Sequence, residues 1–432
     1  MSPALITLIA VMLLAMLLRA PLAFSMLAGG IAYLGVKGQD LGLAAEQILN
    51  GLYNSYVLLA VPLFVFAANL MNAGTISERL FDFSRVLVGR MRGGLAQVDI
   101  VVSVIFSGMS GSAIADAAGP GLVTIKQMLK KPEYTPGFAG AVVVASSTIG
   151  PIIPPSIPMV IYALVSGSSV GALFLAGIIP GLLIALLLML GVHFIAVRRQ
   201  MPTDDPIPRG DYPGLVLRGL LPLTLPLVLL AGIYSGAFTP TEAAAVAALH
   251  ALILSALVYR AFNLKALFAV TLESLRSSSV ITILIASAYL LNYALTAEGV
   301  PGQLADWISG LNLQPLSFLL LVNLVFLVLG CFLDVSVMLL VFVPMLIPSV
   351  KALGIDLVHF GVLAVVNMMV GLVTPPFGML LFVTTALTGI SLREMVKEGL
   401  PFTLLLLLSL LLLTCFPQIV LWLPHSLGYV TS

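Results

Sequence analysis

Two stretches of this chain put proline and oxygen-bearing residues where a helix cannot run through. The first is Gly150-Pro151-Ile152-Ile153-Pro154-Pro155-Ser156-Ile157-Pro158, the second Gly371-Leu372-Val373-Thr374-Pro375-Pro376-Phe377-Gly378. Proline lacks an N–H and its ring clashes with the preceding turn, so an interior helix breaks there. Each stretch lies inside an apolar run long enough to cross a bilayer. Hydrocarbon offers no partner for the freed carbonyls and amides, so unwound backbone at that depth must line a cavity or be packed in protein. Two broken spans at matching places in two halves of a chain point to a transporter's binding site, and here Pro154 and Pro375 stand 221 positions apart. The chemistry such a site supports is oxygen coordination of a small hard cation such as sodium.

Each break has a companion. The run 95–129 is apolar, but its middle reads Ser107-Gly108-Met109-Ser110-Gly111-Ser112, followed by Asp116. The run 315–350 carries Gly330-Cys331-Phe332-Leu333-Asp334. Hydroxyls and unwound carbonyls complete a cation shell without adding net charge. One cation site per half follows: Ser107, Gly108, Ser110 and Ser112 with Ser147, Thr148 and Gly150, then Gly330 and Asp334 with Asn367, Gly371 and Thr374. Any single Ser or Gly among them could equally serve close helix packing. Asp116 and Asp334 are acids within membrane segments, where acids are costly and face a partner or a wet cavity. Capping a half-helix amino terminus is their structural alternative. Free amides at such termini suit an anionic substrate. No arginine lies in either tip or break, so a carboxylate would be held by amides and hydroxyls.

The elements that must position these residues are membrane helices. Of the 432 residues, 60% are hydrophobic and 9% charged, against roughly a quarter charged in a soluble domain. Apolar runs of about 20 residues recur along the chain, the pattern of an all-α polytopic membrane protein. Spans are expected at about 3–18, 22–36, 53–73, 172–197, 216–235, 243–259, 277–296 and 401–423, with broken helices at about 137–165 and 358–387. The first is read as a retained span, since it lacks the basic start of a signal peptide. Residues 78–92 read as an amphipathic interfacial helix. A polar, proline-rich stretch with Asp204, Asp205, Pro206, Pro208 and Arg209 divides the chain into 1–200, a cytoplasmic linker 201–214, and 215–432.

Each half then holds five crossings and one re-entrant hairpin, at about 95–130 and 315–350. Five is odd, so the second half is expected to be inverted relative to the first. Charge tests this. With the amino terminus outside, 16 of the 19 Lys and Arg residues fall inside, the usual cytoplasmic bias. Lys37 and Lys351 fall outside and Arg276 is ambiguous. The hairpins would enter from opposite sides and their tips meet near the midplane.

Other chemistries find less support. His193, His250, His359 and His425 show no metal spacing, and Cys331 and Cys415 lie in apolar segments. No phosphate-binding glycine loop suggests ATP use. A net charge of +1 suggests no nucleic acid partner. Gly108-Met109-Ser110-Gly111 matches the G-x-S-G of intramembrane serine proteases, which need a histidine to activate the serine. An enzyme gives no reason for two copies of hairpin plus broken span.

The tip Ser107-Gly108-Met109-Ser110-Gly111-Ser112-Ala113-Ile114-Ala115-Asp116-Ala117-Ala118 resembles the S-G-S-S-x-A-D-A-A signature of the large membrane subunit of TRAP (tripartite ATP-independent periplasmic) transporters. So do the I-I-P-P-S break at 152–156, Gly330 with Asp334, and the T-P-P-F-G break at 374–378. Met109 and Gly111 stand where the signature is richer in serine. The similarity runs over essentially the whole chain. It implies a non-enzymatic importer of organic acids, mostly C4-dicarboxylates and sialic acids, in a bacterial inner membrane with a periplasmic amino terminus. Sodium is the coupling ion, with no other cofactor. A periplasmic binding protein delivers substrate, and a separate four-helix membrane subunit accompanies the chain. Motion is of the elevator type, with about 95–165 and 315–390 moving against the outer spans and the 78–92 helix. Carried onto this sequence, sodium ligands come from Ser107, Gly108, Ser110, Ser112, Thr148 and Gly150, and from Gly330, Asn367, Gly371, Thr374 and Phe377. Substrate contacts fall to Asp116, Ser147, Pro154, Pro155, Asp334, Pro375 and Pro376. A carboxylate carrier of the same architecture without a binding protein is the alternative.

Overall fold

The computed structural model describes every residue except 1, 54, 74–75, 202, 205–206, 209, 261–262 and 430–432. Asp205, Pro206 and Arg209 of the expected linker therefore lie outside the described residues. The described residues form helices and no strand. Among the described residues, seven helices are long and apolar enough to cross a membrane.

Helix starts are written locally. Ser2, Thr135, Ser156 and Ser169 each accept a hydrogen bond from a backbone N–H in the first turn of the helix they precede. Pro3, Pro136 and Pro158 occupy first-turn positions where a missing N–H costs nothing. The first half runs α1 (Pro3–Leu17), α2 (Leu22–Lys37), α3 (Gly42–Tyr53), α4 (Tyr56–Ala73), α5 (Ile76–Val88), α6 (Gly94–Ser110), α7 (113–128), α8 (Pro136–Ile149), α9 (Ile157–Ser166) and α10 (Val170–Arg198). The second runs α11 (Tyr212–Tyr234), α12 (Pro240–Val258), α13 (Leu264–Ala297), α14 (Val300–Gly310), α15 (Pro315–Gly330), α16 (Val335–Ala352), α17 (Leu357–Leu372), α18 (Met379–Thr388), α19 (Leu392–Cys415) and α20 (Pro417–Ser426). Within α7 the ladder widens to a π turn over Ala117–Gly121, where Pro120 has no N–H to give.

Four elements differ from the sequence reading. Residues 42–53 and 300–310, read as connections, are the short helices α3 and α14. α13 has 34 residues rather than the expected 20 or so. At 1.5 Å per residue it is about 51 Å long, well beyond a bilayer core of about 30 Å. Asn263 caps it by accepting from Ala266 N, and neither glycine nor proline stops it before Ala297. The expected final span is broken at Phe416, which is extended at φ −124° and ψ 78°. Proline at 417 disfavours the helical region for the residue before it.

Two packing groups emerge. α1, α2, α4, α12 and α13 pack on one another, with α11 against α5 and α12. The other group holds α6 to α10 and α15 to α19. In it α10 and α19, expected among the surrounding spans, pack on each other and against α8 and α17. Gly177 and Gly181 on α10 explain this: a Cβ at either would overlap Ile152 or Ile153 of the first break. α17 is buried along its whole length, which makes it the centre of this group. Ion pairs tie helix ends together. Lys37 at the end of α2 meets Glu298 at 2.6 Å, and Tyr33 donates to the same carboxylate at 3.0 Å. Asp204 accepts from Arg85 at 2.6 Å and Lys131 at 2.7 Å, tying α5 to the end of α7.

Candidate functional site

Both proline stretches are breaks. α8 ends at Ile149 and α9 begins at Ile157; α17 ends at Leu372 and α18 begins at Met379. Both Pro154–Pro155 and Pro375–Pro376 are cis. The two are closed differently. Across the first, Ser156 Oγ donates to the carbonyl of Pro151 and accepts from Met159 N at 3.2 Å, and Pro154 and Pro155 are buried. In the second, Gly378 stands where a capping side chain would be, and Pro375, Pro376 and Phe377 are exposed. The Phe377 ring lies 5.4 Å from that of Phe332 on the second tip.

Each hairpin tip sits on the break of its own half. Gly111 turns the first hairpin in the left-handed region, at φ +60°. A Cβ there would overlap the Pro155 carbonyl, and one at Gly150 would stand 3.3 Å from the Ser112 carbonyl. In the second half a Cβ at Gly371 would lie 2.9 Å from the carbonyl of Gly330. Glycine is what lets main chain meet main chain at both places. The halves also cross: α7 packs on α18, and α16 on α9. Tips expected to meet face to face are thus joined through the breaks.

The singled-out side chains fall into three settings. In the first tip, Ser107 is buried and donates to Val104 O at 2.5 Å. Ser110 Oγ accepts weakly from Ser112 N at 3.4 Å, and Ser112 caps α7 through Ala115 N. A Cβ at Gly108 would meet Pro226 of α11, so that residue's open face belongs to a helix contact. Thr148 is buried and its Oγ1 donates to Ala145 O at 2.6 Å. Between tip and break, Asp116 is fully buried beside the Ser103 and Ser147 hydroxyls, without a well-formed hydrogen bond to either carboxylate oxygen. In the second half, Thr374 Oγ1 donates to Val370 O at 2.6 Å. Asp334 caps α16 by accepting from Ser336 N at 2.8 Å, the structural role that had stood beside the functional one. Asn367 is buried and its amide donates to Asn323 Oδ1 at 3.0 Å, while its own Oδ1 has no partner.

Two residues escaped the sequence reading. Asp99 is buried on α6 and accepts from Ser146 Oγ at 2.6 Å. Asn323 on α15 holds Asn367 and donates to Thr414 Oγ1 at 2.8 Å. Each is a polar residue inside an apolar run, a signal that was legible at Val98–Val102 and Leu319–Phe326. Among the described residues no group of His, Cys, Asp and Glu could hold a metal ion in the usual way.

Proline-broken membrane helices faced by glycine-tipped hairpins define a polytopic transport protein. A sequence profile described as the DctM component of the tripartite ATP-independent periplasmic transporter matches residues 9–419. The chain is 41% identical over 411 residues to the sialic acid TRAP transporter large permease protein SiaM of Vibrio cholerae, covering 95% of this chain and 96% of that one. It is 40% identical over 373 residues to the C4-dicarboxylate TRAP transporter large permease protein DctM of Pseudomonas aeruginosa, covering 86% and 87%. The YdaH transporter of Alcanivorax borkumensis shares the fold, with a TM-score of 0.64 at 17% identity over 86% of this chain and 87% of that one. This chain belongs to the DctM family: it is a large permease subunit of a TRAP transporter. It is a permease rather than an enzyme, and a multi-pass membrane protein.

Proposed function

We propose that this chain is the sodium-coupled permease of an organic-acid importer, of the sialic acid or C4-dicarboxylate class named for its relatives. The observation that carries the reading is the contact of glycine-bearing tip and proline break in each half, Gly111 on Pro155 and Gly330 on Gly371. It places unwound main chain from two elements together, the environment in which a hard cation finds oxygens. One sodium is held by the Ser107–Ser112 tip with Thr148 and Gly150. A second is held by Gly330, Asn367, Gly371 and Thr374, with Phe377 contributing main chain. Substrate lies between the sites, near Ser147, Pro154, Pro155, Asp334, Pro375 and Pro376, with Asp116 behind the first tip. The halves 1–200 and 215–432, joined by the linker 201–214, are inverted repeats. Both hairpins and broken helices move as one elevator body, which α10 and α19 accompany on the packing described above.

The system lies in the inner membrane with the amino terminus periplasmic. A four-helix membrane subunit and a periplasmic binding protein complete it. Energetics favour the scheme: one charge crossing about 100 mV gains roughly 2.3 kcal/mol. Two sodium ions with a monoanion carry net positive charge inward, so potential and gradient act together; with a dianion the gradient acts alone. The test is uptake of N-acetylneuraminate or succinate into proteoliposomes holding the full transporter, with binding protein outside. Uptake driven by an inward sodium gradient and abolished by replacing sodium with choline is expected. Uptake indifferent to sodium would overturn the coupling, and uptake that needs no binding protein would select the simpler carrier.

A further inference from the structure

In each half one buried polar bridge crosses from the first arm of the hairpin to the first arm of the broken helix. In the first half Ser146 on α8 donates to Asp99 on α6 at 2.6 Å. In the second, Asn367 on α17 donates to Asn323 on α15, at 2.9 Å to its carbonyl and 3.0 Å to its side-chain oxygen. All four residues are buried. Polar groups are expensive to keep among membrane helices. Their positions are specific. Ser146 immediately precedes Ser147 and Thr148 in the last turn of α8, and Asn367 stands one helical turn before Gly371, the penultimate residue of α17. Asn323 is itself anchored, through Thr414, to α19.

We propose that Asp99 and Asn323, through Ser146 and Asn367, are positioning residues that set the register of each hairpin on its broken helix and thereby the geometry of the cation site above them. This rests on the sodium reading of those sites. A hard cation requires several oxygens at nearly fixed distance, and the oxygens here come from two separate elements. Apolar contacts between α6 and α8, or α15 and α17, are non-directional and tolerate sliding. A hydrogen bond to one named atom does not, because it weakens steeply with distance and angle. One unbroken helix runs from each bridge to its tip, α6 from Asp99 to Ser110 and α15 from Asn323 to Gly330, so a slide at the bridge becomes the same slide at the ligands. Asn367 is thus both a candidate ligand, through its unpartnered oxygen, and a strut. Asp99 enters as a strut: the side chain that donates to it is Ser146, which is not a ligand of the cation shell.

The experiment is a sodium titration of the purified full chain, read as the rise in melting temperature with sodium against choline at constant ionic strength. It needs no substrate. Ser146→Ala is expected to raise the half-saturating sodium concentration about five- to tenfold, the factor that loss of one buried hydrogen bond commonly carries. Ser146→Thr keeps the hydroxyl at the cost of one added methyl in a buried place, and its half-saturation should lie closer to the parent's than that of Ser146→Ala. Asn323→Ala should shift it in the same direction. In these variants the temperature of unfolding without sodium should move less than the sodium response does. A lowered melting temperature with unchanged half-saturation would make the bridges merely structural and overturn the proposal. Should Ser146→Ala fail to fold, Asp99→Leu decides the matter: it keeps the bulk and removes the acceptor of the Ser146 hydroxyl, and half-saturation equal to the parent's in that variant would refute positioning. A parent chain with no sodium-dependent rise at all would instead refute the sodium reading beneath it.

Discussion

Gly371→Ala tests the site through a clash that the structure makes one-sided. A Cβ at Gly371 would stand 2.9 Å from the carbonyl carbon and oxygen of Gly330 and 3.0 Å from its Cα. All three are backbone atoms, so no flexible side chain can turn away. Ordinary contact between such atoms begins near 3.5 Å, so tip and break must separate by about half an ångström. Overpacking of this kind costs about 1–3 kcal/mol. Alanine in a helix recovers up to about 1 kcal/mol relative to glycine, so the net effect is a loss. The reciprocal change is mild. A Cβ at Gly330 meets only the Cα of Gly371, at 3.5 Å, which is ordinary contact. If sodium binds across this junction, Gly371→Ala should raise the half-saturating sodium concentration for uptake by about tenfold or more, the equivalent of 1.4 kcal/mol. Gly330→Ala should change it less than about threefold, or 0.7 kcal/mol. The assay is sodium-dependent uptake in proteoliposomes, with melting temperature measured alongside. Equal sodium dependence of the two variants would refute the claim that the junction's close approach shapes the site.

Three further outcomes are expected. Asp334→Asn should keep its cap, because asparagine caps helices as well as aspartate does; melting temperature should hold while transport falls, and full uptake would remove the Asp334 charge from the site. Glu298 is held down to about 2, chiefly by its hydrogen bond from Lys37. Its contribution is therefore complete above the ordinary value of 4.5 and disappears as pH falls toward 2. The melting difference between parent and Glu298→Gln should be flat from pH 6 to 8 in thermal scans and shrink below about 4.5; a difference that grew on acidification would contradict the pairing. Asp204→Asn should cost about 1–3 kcal/mol in chemical unfolding, since a buried carboxylate loses its charge toward both Arg85 and Lys131; unchanged stability would show that the bridge carries no load.

Much of the architecture is legible in the sequence. Proline and glycine act through their own backbone, so Pro154-Pro155 and Pro375-Pro376 announce breaks wherever they stand, and Ser169 or Asn263 announces a helix start. What misled was the reading of polarity as loop. Residues 42–53 and 264–276 carry polar side chains at helical spacing, and both are helical because each turn of backbone satisfies itself without reference to hydrophobicity. Asp334 illustrates the limit for single residues: one carboxylate at a tip fits a cap and a ligand equally, and its acceptance from Ser336 N depends on how the chain folds there.

The sequence alone determined that this is a helical membrane chain with two mid-span breaks, and the family signature in its first tip, because composition and proline chemistry are local properties. Only the tertiary structure decided which residues meet. That Gly330 lies against Gly371, that Asp99 receives Ser146 and that α10 and α19 pack with the broken helices all depend on long-range packing. In a chain so uniformly apolar, hydropathy marks nearly every helix as fit to be buried and distinguishes no partner. The choice falls to the shape of small residues and to a few directional polar bonds, whose partners sit tens to hundreds of positions apart.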